Sequence, residues 1–237
     1  MLIISIPKSA STSLLDTFGK LHALPSRQLD FKNNQADERF PLLGSYHNDT
    51  CKLSKEDISI FLDKKKLYKQ HILPTEQHLK LLRTTKKVVL LRNPYDILLS
   101  YRRGTLKNIH GEKNGFKISF TEGEWIEAAQ KNGFLEELRQ FYNGWAQHND
   151  EYTLLLGYKE LVREPLRSIN KIEKFYELPL TKRKITLSRK RYSRHSKIVD
   201  INSAFRRKLM RLIAKNNIYE PLKGCQTYLR EHGIKWV

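Results

Sequence analysis

The sequence predicts an α/β protein with a mainly parallel sheet flanked by helices on both faces. Short apolar runs of strand length alternate with stretches whose apolar residues recur at helical spacing, and strands alternating with helices favour a parallel sheet covered on both sides. The 237 residues suit one α/β domain with a real core. No internal repeat and no second domain is visible, so 1–237 reads as a single domain.

Leu2, Ile3, Ile4 and Ile6 form the first strand, and after the loop Pro7 to Ser13 the spacing turns helical at Leu14, Leu15, Phe18 and Leu21. The stretch from Leu24 to Thr50 is polar and weakly periodic, an irregular excursion over the sheet edge. Ser54 starts a helix, with Asp57 at the capping-box position and Ile58, Phe61 and Leu62 on one face. Lys66 to Ile72 is the second strand, with His71 at its end. Pro74 and Thr75 break it and begin a helix carrying Leu79, Leu81 and Leu82.

The clearest strand, Val88 to Leu91, delivers Arg92 at its end. Asn93 is a natural N-cap and Pro94 a natural first helical residue, which turns Ile97, Leu98 and Tyr101 inward. Thr121 and Glu124 form another capping box. A long helix then carries Phe134, Leu135, Leu138, Phe141, Tyr142 and Trp145 as a core stripe. Tyr152 to Gly157 is the next buried strand, ending at Tyr158, and Pro165 helps to start a helix marked by Leu166, Ile169, Ile172 and Phe175.

Lysine and arginine number 44 against 25 acidic residues, a formal charge of +19 that favours anionic partners. Cys51 and Cys225 belong to no C-x-x-C pair, which argues against a disulfide framework and a cysteine-based zinc site. No apolar run reaches the ~20 residues of a membrane helix, and Met1 to Ile6 lacks the basic leader of a signal peptide. The expectation is a soluble, cytoplasmic protein, unless the chain is a trimmed luminal domain.

In parallel sheets ligands bind beyond the C-terminal strand ends. Lys8, His71, Arg92 and Tyr158 occupy four such ends and point at one crevice. The loop Pro7-Lys8-Ser9-Ala10-Ser11-Thr12-Ser13 feeds a helix N-terminus, where free backbone N–H groups and the helix dipole attract anions. Lys8 adds a charge, and Ser9, Ser11, Thr12 and Ser13 add hydroxyl donors. The loop has no glycine, so it is not the G-x-x-x-x-G-K-[ST] triphosphate motif. A polar turn with an ordinary cap accounts for the same residues. Arg92 and Ser100, two turns into the following helix, imply a second anion site, and together the two sites suit a ligand phosphorylated at both ends. The competing assignment pairs Arg92 with Asp96 and leaves Ser100 a buried helix serine.

These segments resemble sulfotransferases that use 3′-phosphoadenosine 5′-phosphosulfate (PAPS). The loop Pro7 to Leu14 resembles that family's 5′-phosphosulfate loop, and Val88 to Gly104 (VVLLRNPYDILLSYRRG) its 3′-phosphate signature. Lys69-Gln70-His71-Ile72-Leu73-Pro74 is similar to a segment whose histidine is the general base, and Tyr158-Lys159-Glu160-Leu161 to a strand end whose tyrosine lies near the adenine. The match runs from about Met1 to Pro165. Ala10 stands where the family usually has glycine, and Ser13 where many members have tryptophan. The family's Arg-Lys-Gly grip has its best counterpart in Ser188 to Arg194, where Arg189 and Lys190 would contact the nucleotide; a site for a polyanionic acceptor and a solvated charge run are the alternatives for this stretch.

The resemblance implies a P-loop-like fold, PAPS as donor, no metal, and in-line sulfuryl transfer to an acceptor hydroxyl of a carbohydrate or small molecule. Lys8 and His71 would be catalytic. Lys8, Ser9, Ala10, Ser11, Thr12, Ser13, Arg92, Ser100 and Tyr158 would hold the nucleotide. His47 and Glu38 are rivals for the base, because some members use a carboxylate, and a structural histidine is the alternative for His71. The basic composition favours an anionic or sugar acceptor, with Phe116, Phe120, Trp125 and Tyr142 as aromatics able to line its site or fill the core. Two other functions compete: a small-molecule kinase, which lacks an apparent metal carboxylate, and a nucleic-acid-binding protein built on the basic stretch 182–197.

Overall fold

The computed structural model describes residues 1–27, 53, 55–107, 115–147, 150–188 and 203–218. Strand β1 (Leu2–Ser5), β3 (Leu67–Gln70) and β4 (Lys87–Leu91) are buried along their whole length, and β5 (Thr153–Gly157) nearly so. Strands with no solvent-facing side need cover on both faces, which is the condition of a parallel sheet. With the two-residue edge strand β2 (Ser26–Arg27), they form one parallel sheet in the order β2-β3-β1-β4-β5. The edge strand lies within the stretch expected to be irregular. Two residues carry no readable period, and pairing with Leu67 and Tyr68 is what extends them.

Alternate residues of each strand feed two separate cores. On one face, Ile3, Val88, Leu90 and Leu156 pack with Leu14 and Phe18 of α1 (Ser11–Leu21). Leu161 of α7 (Tyr158–Arg163) and Ile169 and Ile172 of α8 (Pro165–Tyr176) complete that layer. On the other, Leu2, Ile4, Val89 and Leu91 meet α4 (Pro94–Leu106), α5 (Glu122–Lys131) and α6 (Phe134–Gln147). Helices α2 (Lys55–Leu62) and α3 (Glu76–Leu81) flank β3. The final described helix, α9 (Ser203–Lys215), buries Phe205, Leu209 and Ile213 in the second core, with Phe205 edge-on to Trp125.

The local signals act as expected where they are strongest. Asn93 caps α4 through the Tyr95 N–H with Pro94 behind it, Thr121 and Glu124 close a reciprocal capping box on α5, and Thr75 caps α3. The long helix after Thr121 is two helices, because Gly133 takes φ 79° and Asn132 ends α5 while its side chain accepts from the Phe134 N–H. The Ser54 capping box lies outside the described residues. Phe116, Trp125 and Tyr142 are core residues, so of the four candidate aromatics Phe120 alone keeps partial exposure. No described helix is long and apolar enough to cross a membrane.

Candidate active site

The strand order decides how the four strand ends meet. His71, Lys8, Arg92 and Tyr158 follow β3, β1, β4 and β5, which are consecutive neighbours in the sheet. Helix α1 leaves β1 toward one face and α4 leaves β4 toward the other. The β1–β4 boundary is therefore the switch point where a crevice opens in such sheets.

Arg92 crosses that boundary. Its Nη1 donates to the Lys8 carbonyl, and its guanidinium carbon lies 4.1 Å from the centre of the Tyr158 ring. Arg92 thus touches both Lys8 and Tyr158. No ion pair joins Arg92 to Asp96 among the described residues. Arg92 Nε is buried and makes no hydrogen bond. An unpaired charged donor is expensive when buried.

The loop between β1 and α1 has an unusual backbone. Lys8 and Ala10 both adopt left-handed backbone, φ 70° and 65°, a conformation that disfavours a Cβ by roughly 1–2 kcal/mol. Helix α1 starts at Ala10 without any side-chain cap. The first-turn N–H groups of Ser11, Thr12 and Ser13 therefore receive no side-chain cap from that residue. Two hydroxyls have other duties. Ser9 Oγ donates to the Ile6 carbonyl at 2.6 Å and braces the loop, while Ser100 Oγ donates to the Asp96 carbonyl at 2.7 Å inside α4.

His71 is 4 % exposed, and its Nδ1 lies 2.6 Å from the Ser5 carbonyl. That partner can only accept, so the network assigns the proton to Nδ1 and makes Nε2 the basic nitrogen of the neutral ring. Nε2 faces Lys69 Nζ at 3.4 Å. Lys69 was not singled out from the sequence as a site residue, although residues two apart on a strand share a face. The polar tips of the α6 stripe were missed as well. Trp145 Nε1 donates to the Ile72 carbonyl at 2.8 Å and the Tyr142 hydroxyl donates to the Arg92 carbonyl, so one core helix holds two strand ends.

Ser188 N–H donates to Thr17 Oγ1 at 2.9 Å, and Ser188 Oγ to the Ser13 carbonyl at 3.3 Å. The chain therefore enters the basic stretch beside the first turns of α1. Arg189, Lys190, His47 and Glu38 lie outside the described residues. Among the described residues, no group of His, Cys, Asp and Glu is arranged to hold a metal ion.

The family model for the sulfotransferase domain matches residues 1–203. The chain belongs to the sulfotransferase family. Its fold matches that of a sulfotransferase from Alicyclobacillus acidocaldarius, at 12% identity and TM-score 0.53, over 94% of each chain. A mouse sulfotransferase complexed with PAP aligns at 16% identity and TM-score 0.49, over 89% of this chain, which spans 62% of the mouse protein's length. A sulfotransferase domain from the curacin biosynthetic pathway aligns at 18% identity and TM-score 0.45, over 90% of this chain and 95% of that one. No individually curated protein matches the sequence. The chain carries α9 from the last matched residue onward, and that helix shares the core of α4 and α5.

Proposed function

We propose that this sulfotransferase moves a sulfuryl group from PAPS to an acceptor hydroxyl, with 1–237 as one domain. Arg92 carries the reading: it binds the loop of β1, stacks on the end of β5 and keeps a buried Nε without a partner. When bound, the donor supplies an activated sulfuryl group on a nucleotide bearing phosphates at its 5′ and 3′ positions.

The residues fit such a group. The uncapped N–H groups of Ser11, Thr12 and Ser13 and the left-handed turn at Ala10 receive the 5′ side, with Ser9 stiffening the loop from within. Arg92 and Ser100 receive the 3′-phosphate, Ser100 by turning its hydroxyl away from the Asp96 carbonyl. Tyr158 orients the guanidinium and borders the adenine. Arg189 and Lys190 are assigned to the nucleotide because Ser188 delivers the chain beside α1. Lys8 neutralises charge that develops as the nucleotide leaves, a role that depends on a fixed cation in a site with little water.

His71 accepts the acceptor's proton at Nε2, its ring held by the Ser5 carbonyl. The basic composition points to an anionic or sugar hydroxyl acceptor. Thermal shift with adenosine 3′,5′-bisphosphate (PAP), ATP with Mg²⁺, and an oligonucleotide tests the class. Stabilisation by PAP alone is expected. Equal stabilisation by ATP with Mg²⁺, or by the oligonucleotide, overturns it.

A further inference from the structure

A groove of about 780 Å³ runs between α8 and the chain that returns from it, lined by none of the residues assigned to the nucleotide. Its apolar lining comes from Pro165, Leu166 and Ile185, and its charged lining includes Arg163, Lys174 and Lys184. Two further cations in the groove are already neutralised. Lys171 Nζ lies 2.6 Å from Oε1 of the buried Glu160, and Arg167 Nη1 lies 3.0 Å from Glu164. No described carboxylate pairs with Arg163, Lys174 or Lys184, and all three are exposed.

One wall of the groove is a strap, residues 181–188, clamped at both ends. The buried Glu173 accepts from the Thr181 N–H at 2.9 Å and from its hydroxyl, and Ser188 is bonded to α1. Ile185, 7 % exposed, is pinned between the clamps in the α1–α8 core. The groove therefore has fixed walls, an apolar floor and a rim of unneutralised positive charge.

We propose that this groove is a second binding site, separate from the nucleotide crevice, for a small amphipathic organic anion: an alkyl or aryl sulfate, carboxylate or phosphate. Its volume falls within the ~300–1,000 Å³ of small-molecule sites, which pair apolar walls with a few placed polar groups. The anionic head meets Lys174 on α8 and Lys184 on the strap, and the apolar body lies on Leu166 and Ile185. A long polyanion would match a continuous charged track and gain nothing from the apolar floor. The site stands on these residues and does not depend on the sulfuryl-transfer reading.

The test is a fluorescence titration of the full chain with 1-anilinonaphthalene-8-sulfonate. Saturable binding to one site is expected, unaffected by saturating PAP. The exposed double substitution Lys174→Glu and Lys184→Glu weakens it at least about tenfold, while each single change to glutamine weakens it about threefold. Circular dichroism melting establishes that the variants are folded. Unchanged affinity in the folded variants overturns the proposal. So does displacement by PAP, which places the dye in the crevice, or equal binding of uncharged N-phenyl-1-naphthylamine, which shows an apolar patch alone. Displacement by a heparin fragment but not by dodecyl sulfate would assign the surface to polyanions and overturn it too.

Discussion

Replacing Arg92 with alanine separates a ligand-binding role from a structural one. Three contributions to the unliganded fold change at once. The bond to the Lys8 carbonyl, a charged donor on a neutral acceptor, is worth about 1.5–3 kcal/mol. The stacking on Tyr158 adds about 0.5–1 kcal/mol. Against these, the variant no longer buries the unpartnered Nε, whose desolvation costs about 1–3 kcal/mol. The sum is a loss of about 1 kcal/mol, or a fall in Tm of roughly 2–4 °C for a chain of this size. The ligand side has no such offset. Removing two charge-assisted bonds to a phosphate removes about 3 kcal/mol or more, at least about a hundredfold in Kd. Calorimetric titration with PAP, beside a melting curve of the free protein, measures both. A large fall in Tm with unchanged PAP affinity would show that Arg92 is only a brace between β1, β4 and β5, and the assignment of the 3′-phosphate site would fall with it.

His71→Ala should abolish turnover and leave PAP affinity intact; wild-type-like turnover in a labelled-sulfate assay removes His71 as the base. Ala10→Gly should keep PAP binding and hold or raise the Tm, because glycine accepts φ 65° without the Cβ penalty of roughly 1–2 kcal/mol. A clear loss of stability would mean the Ala10 methyl packs usefully. Gly144→Ala on α6 should destabilise by about 1–3 kcal/mol or more, since the new Cβ would lie 2.0 Å from Pro74 Cβ, just past His71; a variant as stable as the parent would contradict that close approach. Burial lowers the pKa of Lys87, whose ammonium is held by the carbonyls of Leu82 and Thr85. The unfolded chain therefore binds more protons between the lowered value and the ordinary 10.5. That makes the Lys87 contribution to stability rise with pH across the window. Denaturant titrations at pH 8 to 10 should show a flatter pH dependence in Lys87→Met, and an identical slope would refute the effect.

Much of the crevice was legible because its signals are local. A β-strand ends where its apolar run ends, so Lys8, His71, Arg92 and Tyr158 could be placed at strand ends without knowing which strand lies beside which. Asn93-Pro94 and Thr121-Glu124 announce helix starts because the capping partners are two or three residues away. The two-residue β2 gave no period to read, and its extended form comes from pairing with β3. The break at Asn132 and Gly133 was hidden within a run whose apolar spacing stays nearly helical on both sides.

Hydroxyl roles were the least legible. A serine in an anion loop and a serine bracing that loop look alike in sequence, and only coordinates show Ser9 donating to Ile6. Aromatics behave similarly. Trp125 and Tyr142 were candidates both for core and for a ligand wall, and packing beneath α4 and α6 decided for core.

By itself the sequence determined the alternation of strands and helices, the caps, the glycine-free loop, and the residue types at each strand end. All are near-neighbour properties, set by side-chain period and backbone propensity. Tertiary structure alone decided the order β2-β3-β1-β4-β5, and with it that the Arg92 guanidinium reaches the Lys8 carbonyl and the Tyr158 ring. It also decided that the core helix α6 holds the ends of β3 and β4. These contacts join residues from 50 to 84 positions apart, and no local rule predicts them. They arise when two apolar sheet faces select which helices cover them, so that the crevice opens where β1 and β4 send their helices to opposite sides.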